Sequence, residues 1–326
     1  MLLLGIMLMS GIACGGGVEP SPTPTSTPTT YEWTLTQLTF SGCQAALPSI
    51  SADGTKIAFA ALVDDDDYEI FIINSDGSGL TQLTSNTVGH IYPWISADGT
   101  KIVFMSIEYT VSMVENDDFG IFVNSDDSGM SISSGEISSD SEIFVMNTDG
   151  SGLTQLTFSG GRAIYPSISA DGTKIAFQVT ADLDYPKIFS EVFIINSDGS
   201  GLTQLASDTI NGALPSISAD GTKIAFMSIE FVSLLDNYDS EIFIVNSDGS
   251  GLTQLTSNTV EDGYQSINAD GTTIAYMSFV DNDNSEIFIV NSDGSGLTQL
   301  TSNTVIDSMP SISADGTKIA LSLIHI

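Results

Sequence analysis

The feature that most constrains this chain is a repeat. Ser-Ala-Asp-Gly-Thr, once in the form Asn-Ala-Asp-Gly-Thr, places an aspartate at Asp53, Asp98, Asp171, Asp220, Asp270 and Asp315. Leu-Thr-Gln-Leu places a glutamine at Gln37, Gln82, Gln155, Gln204, Gln254 and Gln299. Both series advance by 45, 73, 49, 50 and 45 residues. Two separate motifs with one spacing mean that whole structural units are duplicated, not isolated turns. The 73-residue step carries an insertion, Ile107–Ser141, with a decayed partial copy at Ile121–Asp126.

Each unit holds four strand signals. In one copy, strand A is Pro215–Ser218 and the turn Ala219-Asp220-Gly221 leads into strand B, Thr222–Ser228. Strand C is Glu241–Asn246, and Ser247-Asp248-Gly249-Ser250-Gly251 leads into strand D, Leu252–Thr256. Asp-Gly between β-branched runs is a hairpin signal, because glycine accepts positive φ without steric cost. Strands B and C are nearly continuous apolar runs, Ile224-Ala225-Phe226-Met227 and Ile242-Phe243-Ile244-Val245. Continuous rather than alternating apolar residues imply burial on both faces, as for a small sheet sandwiched between two neighbours. Four short strands per unit of this length predict an all-β fold, a β-propeller.

The repeat resembles that of the TolB-type propeller family, which reads approximately Leu-Thr, Pro-x-Trp-Ser-Pro-Asp-Gly, Ile-Ala-Phe and Ile-Tyr-x-x-Asn/Asp-x-Asp-Gly. The resemblance covers residues 35–320. It departs from the family in having alanine for the proline before Asp-Gly, and in keeping the strand-A tryptophan only at Trp94. Serine fills that place at Ser49, Ser167, Ser216, Ser266 and Ser311. The register of the repeats implies six four-stranded antiparallel blades, with seven or eight as the alternative if the natural sequence runs further. Thr34–Phe40 reads as a strand D without its A, B and C. The last unit has strand A (Pro310–Ser313) and the start of B (Thr317–Ala320), so the N-terminal strand is expected to close an incomplete last blade. Propellers of this type also precede the catalytic domain of prolyl-oligopeptidase-like hydrolases, which supplies an alternative reading.

The ends read differently from the repeats. Residues 1–13 are an apolar, signal-peptide-like run ending in small residues, too short to span a bilayer comfortably. Gly11-Ile12-Ala13-Cys14 resembles a bacterial lipobox, whose cysteine becomes the lipidated N-terminus. Residues 14–30 are glycines followed by Glu19–Thr30, a Pro/Thr/Ser spacer whose prolines keep the chain extended at roughly 3 Å per residue. Residues 31–320 form the repeat domain. Residues 321–326, LSLIHI, read as a translated sequencing adapter, and the natural protein is expected to continue. The leader predicts an exported bacterial lipoprotein, monomeric, in the periplasm or on the cell surface, meeting the membrane only through its lipid anchor.

Charge then limits the partners. The chain of 326 residues has 41 acidic against 7 basic side chains, a net charge of −34. Such a surface repels phosphate backbones and anionic headgroups, which excludes nucleic acid and leaves cations, basic protein segments and neutral ligands such as glycans. Antiparallel connectivity puts the uniform A–B and C–D turns on one face, where their aspartates are expected to cap backbone N–H groups. The variable D–A and B–C loops share the other face. There the reading expects a ligand-binding surface of Gln44, His90, Tyr92, Trp94, Arg162, Tyr165, Asn211 and Tyr264, since aromatic and amide groups together suit a glycan or peptide. The alternative reading of the tyrosines is packing between blades. Acidic B–C loops nominate Asp64, Asp66, Asp281 and Asp283 for Ca²⁺, which takes about six to eight oxygen ligands, and a Ca²⁺-dependent adhesion module is a further alternative. No other cofactor is implied. His90 is the only histidine before the tail, and the sequence lacks Gly-x-Ser-x-Gly, His-Glu-x-x-His and Walker motifs, so the chain reads as a non-catalytic scaffold for a protein or glycan partner.

Overall fold

The computed structural model of the chain describes residues 38, 45–64, 67–109, 139–158, 161–181, 189–206, 210–231, 238–281 and 284–323. All regular structure among them is β-strand. Unit one comprises β1 (Ala45–Ile50), β2 (Lys56–Asp64), β3 (Asp67–Asn74) and β4 (Thr81–Gln82). Unit two comprises β5 (Gly89–Ile95), β6 (Lys101–Tyr109), β7 (Ser139–Asn147) and β8 (Thr154–Gln155). Unit three comprises β9 (Arg162–Ile168), β10 (Lys174–Ala181), β11 (Phe189–Asn196) and β12 (Thr203–Gln204). Unit four comprises β13 (Gly212–Ile217), β14 (Lys223–Phe231), β15 (Tyr238–Asn246) and β16 (Thr253–Gln254). Unit five comprises β17 (Asp262–Ile267), β18 (Thr273–Asp281), β19 (Asn284–Asn291) and β20 (Thr298–Gln299). Unit six has β21 (Asp307–Ile312) and β22 (Ile319–Leu323).

Within each complete unit the strands pair antiparallel in the order A, B, C, D, and a single parallel bridge, Ser141 to Arg162, joins units two and three. Strands B and C are buried on both faces, as their composition requires: Ile102, Val103 and Phe104 are all inaccessible to solvent. Cross-strand aromatic pairs recur in the same register. Phe59–Phe71, Phe104–Phe144, Phe177–Phe193, Phe226–Phe243 and Tyr276–Phe288 stack at 5.6–5.9 Å between centroids. Such pairs add about 0.5–1.5 kcal/mol each beyond the area they bury.

Strand ends differ from the sequence reading in four ways. Strand A begins earlier, at Gly212 rather than Pro215, because it continues through a bulge. Strand D is two residues long, extended by one further bond such as Leu83 N–H to the Ile70 carbonyl (2.8 Å). Both edges of the insertion continue strands, with Ile107–Tyr109 in β6 and Ser139–Ser141 in β7. Leu321–Leu323, set aside as part of the tail, lie in β22, where Leu323 pairs with Asp307.

The turn face locks the units together. Asp220 Oδ1 accepts from the Ser218 hydroxyl (2.6 Å), the Thr222 N–H (2.9 Å) and the Thr222 hydroxyl (2.8 Å), and the other A–B turns repeat this closely. Asp248 likewise accepts from the Ser250 N–H (2.9 Å) and hydroxyl (2.6 Å) in a C–D turn. A lysine follows the A–B turn in every unit but the fifth, which has Thr273, and those of units one, three and four reach across the seam. Lys56 Nζ donates to the Gly99 carbonyl (3.0 Å) and Thr148 Oγ1 (3.1 Å), and Lys174 Nζ to the Gly221 carbonyl (3.0 Å) and Ser247 Oγ (2.9 Å). Consecutive A–B turns are also joined backbone to backbone, from Ala52 N–H to the Ala97 carbonyl (3.0 Å) through to Ala269 N–H to the Ala314 carbonyl (3.2 Å).

The last unit is packed on one side. Leu300, immediately after β20 on the side that faces unit six, is 47% exposed, against 4% for its counterpart Leu205. Among the described residues no such backbone bond joins the sixth A–B turn to the first. Of the expected closing strand, Thr34–Phe40, only Leu38 falls within the described residues. It packs on Ile57, Phe59, Ala61 and Ile73 and lies near Gly77, as Leu83 lies near Gly150 in the next unit.

Candidate binding site at the inner strands

The A strands gather against one another at the centre of the assembly. Each contains one residue in the left-handed region: Leu47, Tyr92, Tyr165, Leu214, Tyr264 and Met309, all with φ between 49° and 54°. The pairing slips by one residue at each, for instance between Ile91 opposite Met105 and Trp94 opposite Val103, so each A strand carries a β-bulge. A non-glycine residue held there costs about 1–3 kcal/mol. Proline follows at Pro48, Pro93, Pro166, Pro215 and Pro310, where the broken ladder makes its missing N–H harmless. Gln265 takes that place in unit five.

The bulges bring three of the expected residues together. The Tyr92 and Tyr165 rings meet edge to face at 5.0 Å. Burial, then the neighbouring Tyr165 hydroxyl and the charge interaction with Tyr264, hold Tyr92 far above the usual phenol range. Tyr264 is also pushed up, first by burial and then by Glu261 and Tyr165. Tyr92 and Tyr264 are therefore neutral hydroxyls at pH 7. Tyr264 remains 41% exposed. Tyr92 also packs against the core between units, as do Leu47 and Leu214, so the packing role is present beside the clustering.

Two glutamines that the sequence reading did not single out complete this region. The bulge frees the backbone of Leu214. Its N–H donates to Gln178 Oε1 of unit three (3.1 Å), and its carbonyl accepts from Gln265 Nε2 of unit five. Gln178 stands where other units have Ala60, Met105, Met227 and Met277. That break in an apolar pattern is the signal that marks it.

The remaining expected residues divide. His90, Tyr92, Trp94, Arg162, Tyr165 and Tyr264 lie within A strands rather than in D–A loops, since those strands begin before the bulge. Asn211 lies immediately before β13 and is half-buried. His90 is 4% exposed and is not part of the open surface. Its ring packs on Phe104 (5.2 Å) and Phe144 (6.4 Å), its Nε2 is 2.9 Å from Asn86 Nδ2, and Glu69 Oε2 is 3.9 Å away. Burial pushes its pKa down to about 4, leaving a neutral ring at pH 7. Trp94 is 49% exposed. It interrupts a latch in which a strand-A serine accepts the N–H of an isoleucine in the next unit, as Ser49 does from Ile95 (3.1 Å) and Ser216 from Ile267 (3.3 Å). Arg162 opens β9 opposite Thr180. Gln44, Cys14, Asp66 and Asp283 lie outside the described residues. Asp64 ends β2 and Asp281 ends β18, each at a B–C hairpin. Among the described residues no group of three or more His, Cys, Asp or Glu side chains is arranged to hold a metal ion.

A sheet-by-sheet assembly with A strands at the centre is a β-propeller, and the solved structures similar to it include TolB proteins and peptidases. A putative TolB from Agrobacterium tumefaciens superposes with a TM-score of 0.56 at 15% identity, over 87% of this chain and 91% of that one. TolB from Acinetobacter baumannii gives 0.52 at 18% identity, over 82% and 57%. Pyrococcus horikoshii acylaminoacyl peptidase gives 0.57 at 16%, over 82% of this chain and 40% of the peptidase. No protein-family model and no curated protein sequence matches the chain. At these identities the likeness is one of fold.

Proposed function

We propose that the chain is the binding propeller of an exported lipoprotein, and that its inner strands hold a protein or glycan partner without chemistry. One observation carries this reading. A costly backbone bulge recurs at the same point in six A strands, yet it presents leucine, tyrosine and methionine in turn, and three tyrosines converge. Neutral phenol hydroxyls and aromatic faces are groups that bind sugar hydroxyls and peptide backbones. His90, the histidine a Ser-His-Asp triad would need, is used as a buried packing and hydrogen-bonding group. The leader and Cys14 support export and lipidation. A glycan array and a pull-down from envelope extract with the intact domain test the reading. Wild type should retain a ligand that a Tyr165→Ala/Tyr264→Ala variant loses while still folded, and equal retention by both would refute it. Cys14→Ser is expected to move the protein from the membrane to the soluble fraction.

The peptidase likeness favours a second reading, the propeller portion of a longer hydrolase, since it covers 82% of this chain but 40% of the enzyme. Reading the intact gene beyond Ala320 separates the two: a following domain with its own serine and histidine supports the hydrolase.

A further inference from the structure

The seams between units bury acidic groups that the inner-strand site does not use. Strand C carries a glutamate in every complete unit, at Glu69, Glu142, Glu191, Glu241 and Glu286. The corresponding A-strand position of the following unit is His90, Ala163, Gly212, Asp262 or Asp307. Between units one and two an acid therefore meets an imidazole. Between units four and five it meets a second acid.

That second seam is closely built. Glu241 and Asp262 are 6% and 0% exposed. Asn258 ties them together, donating its N–H to Glu241 Oε1 (2.6 Å) and its Nδ2 to Asp262 Oδ2 (2.7 Å). The Thr256 hydroxyl reaches Glu241 Oε2 and also serves Asp262, which Ser278 bonds as well. The Ser240 hydroxyl holds the Asp262 carbonyl at 2.9 Å. After these donors are used, Asp262 Oδ1 and Asp239 Oδ1 remain buried without a hydrogen-bond partner.

The charge around the pair is all of one sign. From β15 come Asp239 and Glu241. From β18 comes Tyr276, whose raised pKa reflects burial first and then both acids. Glu261 immediately precedes β17, and Glu286 of β19 lies across Ser278 from Asp262. The charges that act on Glu241 are those of Asp262 and Asp239, and the charge that acts on Asp262 is that of Asp239. Two desolvated carboxylates that share one asparagine are strongly disfavoured from both staying ionised without a counter-charge.

We propose that Glu241 and Asp262 hold one proton between them at neutral pH, and that this neutralisation keeps the seam between units four and five closed. Burial raises both acids, with Asp239 adding repulsion. A raised folded-state pKa stabilises fully below the ordinary carboxylate range, and the contribution is lost as pH rises through the raised value. Alkali therefore loosens this joint.

The test compares melting temperatures from pH 5 to 8.5 for wild type, Asp262→Asn and the exposed control Asp140→Asn. An amide is neutral at every pH. The difference between Asp262→Asn and wild type should shift toward the variant by about 2–4 °C or more on going to pH 8.5, while Asp140→Asn follows wild type. Parallel curves for Asp262→Asn and wild type would overturn the proposal. If Asp262→Asn does not fold, Glu241→Gln serves in its place, and a protonated-carboxyl infrared band of the wild type at pH 7 gives an independent readout: its presence supports the shared proton and its absence contradicts it. A rise in melting temperature with CaCl₂ at pH 8.5, missing from the variant, would put a cation between the carboxylates and also overturn it.

Discussion

The turn face and the inner strands are built from the same repeat, yet they use it in opposite ways. On the turn face the side chains recur almost residue for residue, and each is consumed by its neighbours: aspartate by serine and threonine, lysine by the next unit's carbonyl and hydroxyl. Along the inner strands the backbone recurs, bulge for bulge, but the side chain at the bulge changes from unit to unit. Uniform chemistry there would serve only closure. A constant, strained frame with variable side chains is how a rigid scaffold carries a specific surface.

The difference can be broken from either side. The largest stability effect is expected at the lysine staples. Lys174→Ala removes both Nζ bonds and leaves the Gly221 carbonyl unpaired at a packed seam, a loss of about 1–3 kcal/mol by chemical denaturation, with ligand retention unchanged below the melting transition. Asp220→Ala removes three hydrogen bonds from one A–B turn and should cost about 1–2 kcal/mol in the same assay. Tyr264→Gly reverses the pattern. Glycine relieves the left-handed strain by about 1 kcal/mol, offsetting the lost ring contacts, so stability should change little while binding falls. Tyr264→Val, with a β-branched side chain at positive φ, should be clearly less stable than Tyr264→Gly.

Acid distinguishes the regions too. The Ser313 hydroxyl, then Thr317, hold Asp315 down at about 2, and Ser51 and Thr55 lower Asp53 in the same way. A depressed folded-state pKa stabilises above the ordinary carboxylate range and is lost as pH falls through the folded value. Melting temperature should therefore drop below about pH 4, and Ser51→Ala should flatten that drop. The Glu241–Asp262 joint runs the other way, weakening toward alkaline pH.

Much of the turn face was legible in the sequence. Asp-Gly pairs between β-branched runs mark the hairpins, and continuous apolar runs mark doubly buried strands. The inner strands were less so. Left-handed φ at Leu47 or Tyr92 contradicts the usual reservation of that region for glycine, and the prolines that follow were the only local hint. Because the bulge hides the true start of strand A, His90 reads as a loop residue when it lies buried against Phe104. The Glu241–Asp262 pair stayed invisible because its members are distant in the chain's pattern and meet only when neighbouring units pack. The turns are local, and the seams are not.

The most direct measurement is ligand retention on the glycan array and from envelope extract by two variants side by side, Asp220→Ala on the turn face and Tyr165→Ala/Tyr264→Ala on the inner strands, both held below their melting transitions. Loss of retention by the tyrosine variant alone is the predicted result. Loss by the turn variant with full retention by the tyrosine variant would place the binding surface on the wrong face and contradict the account.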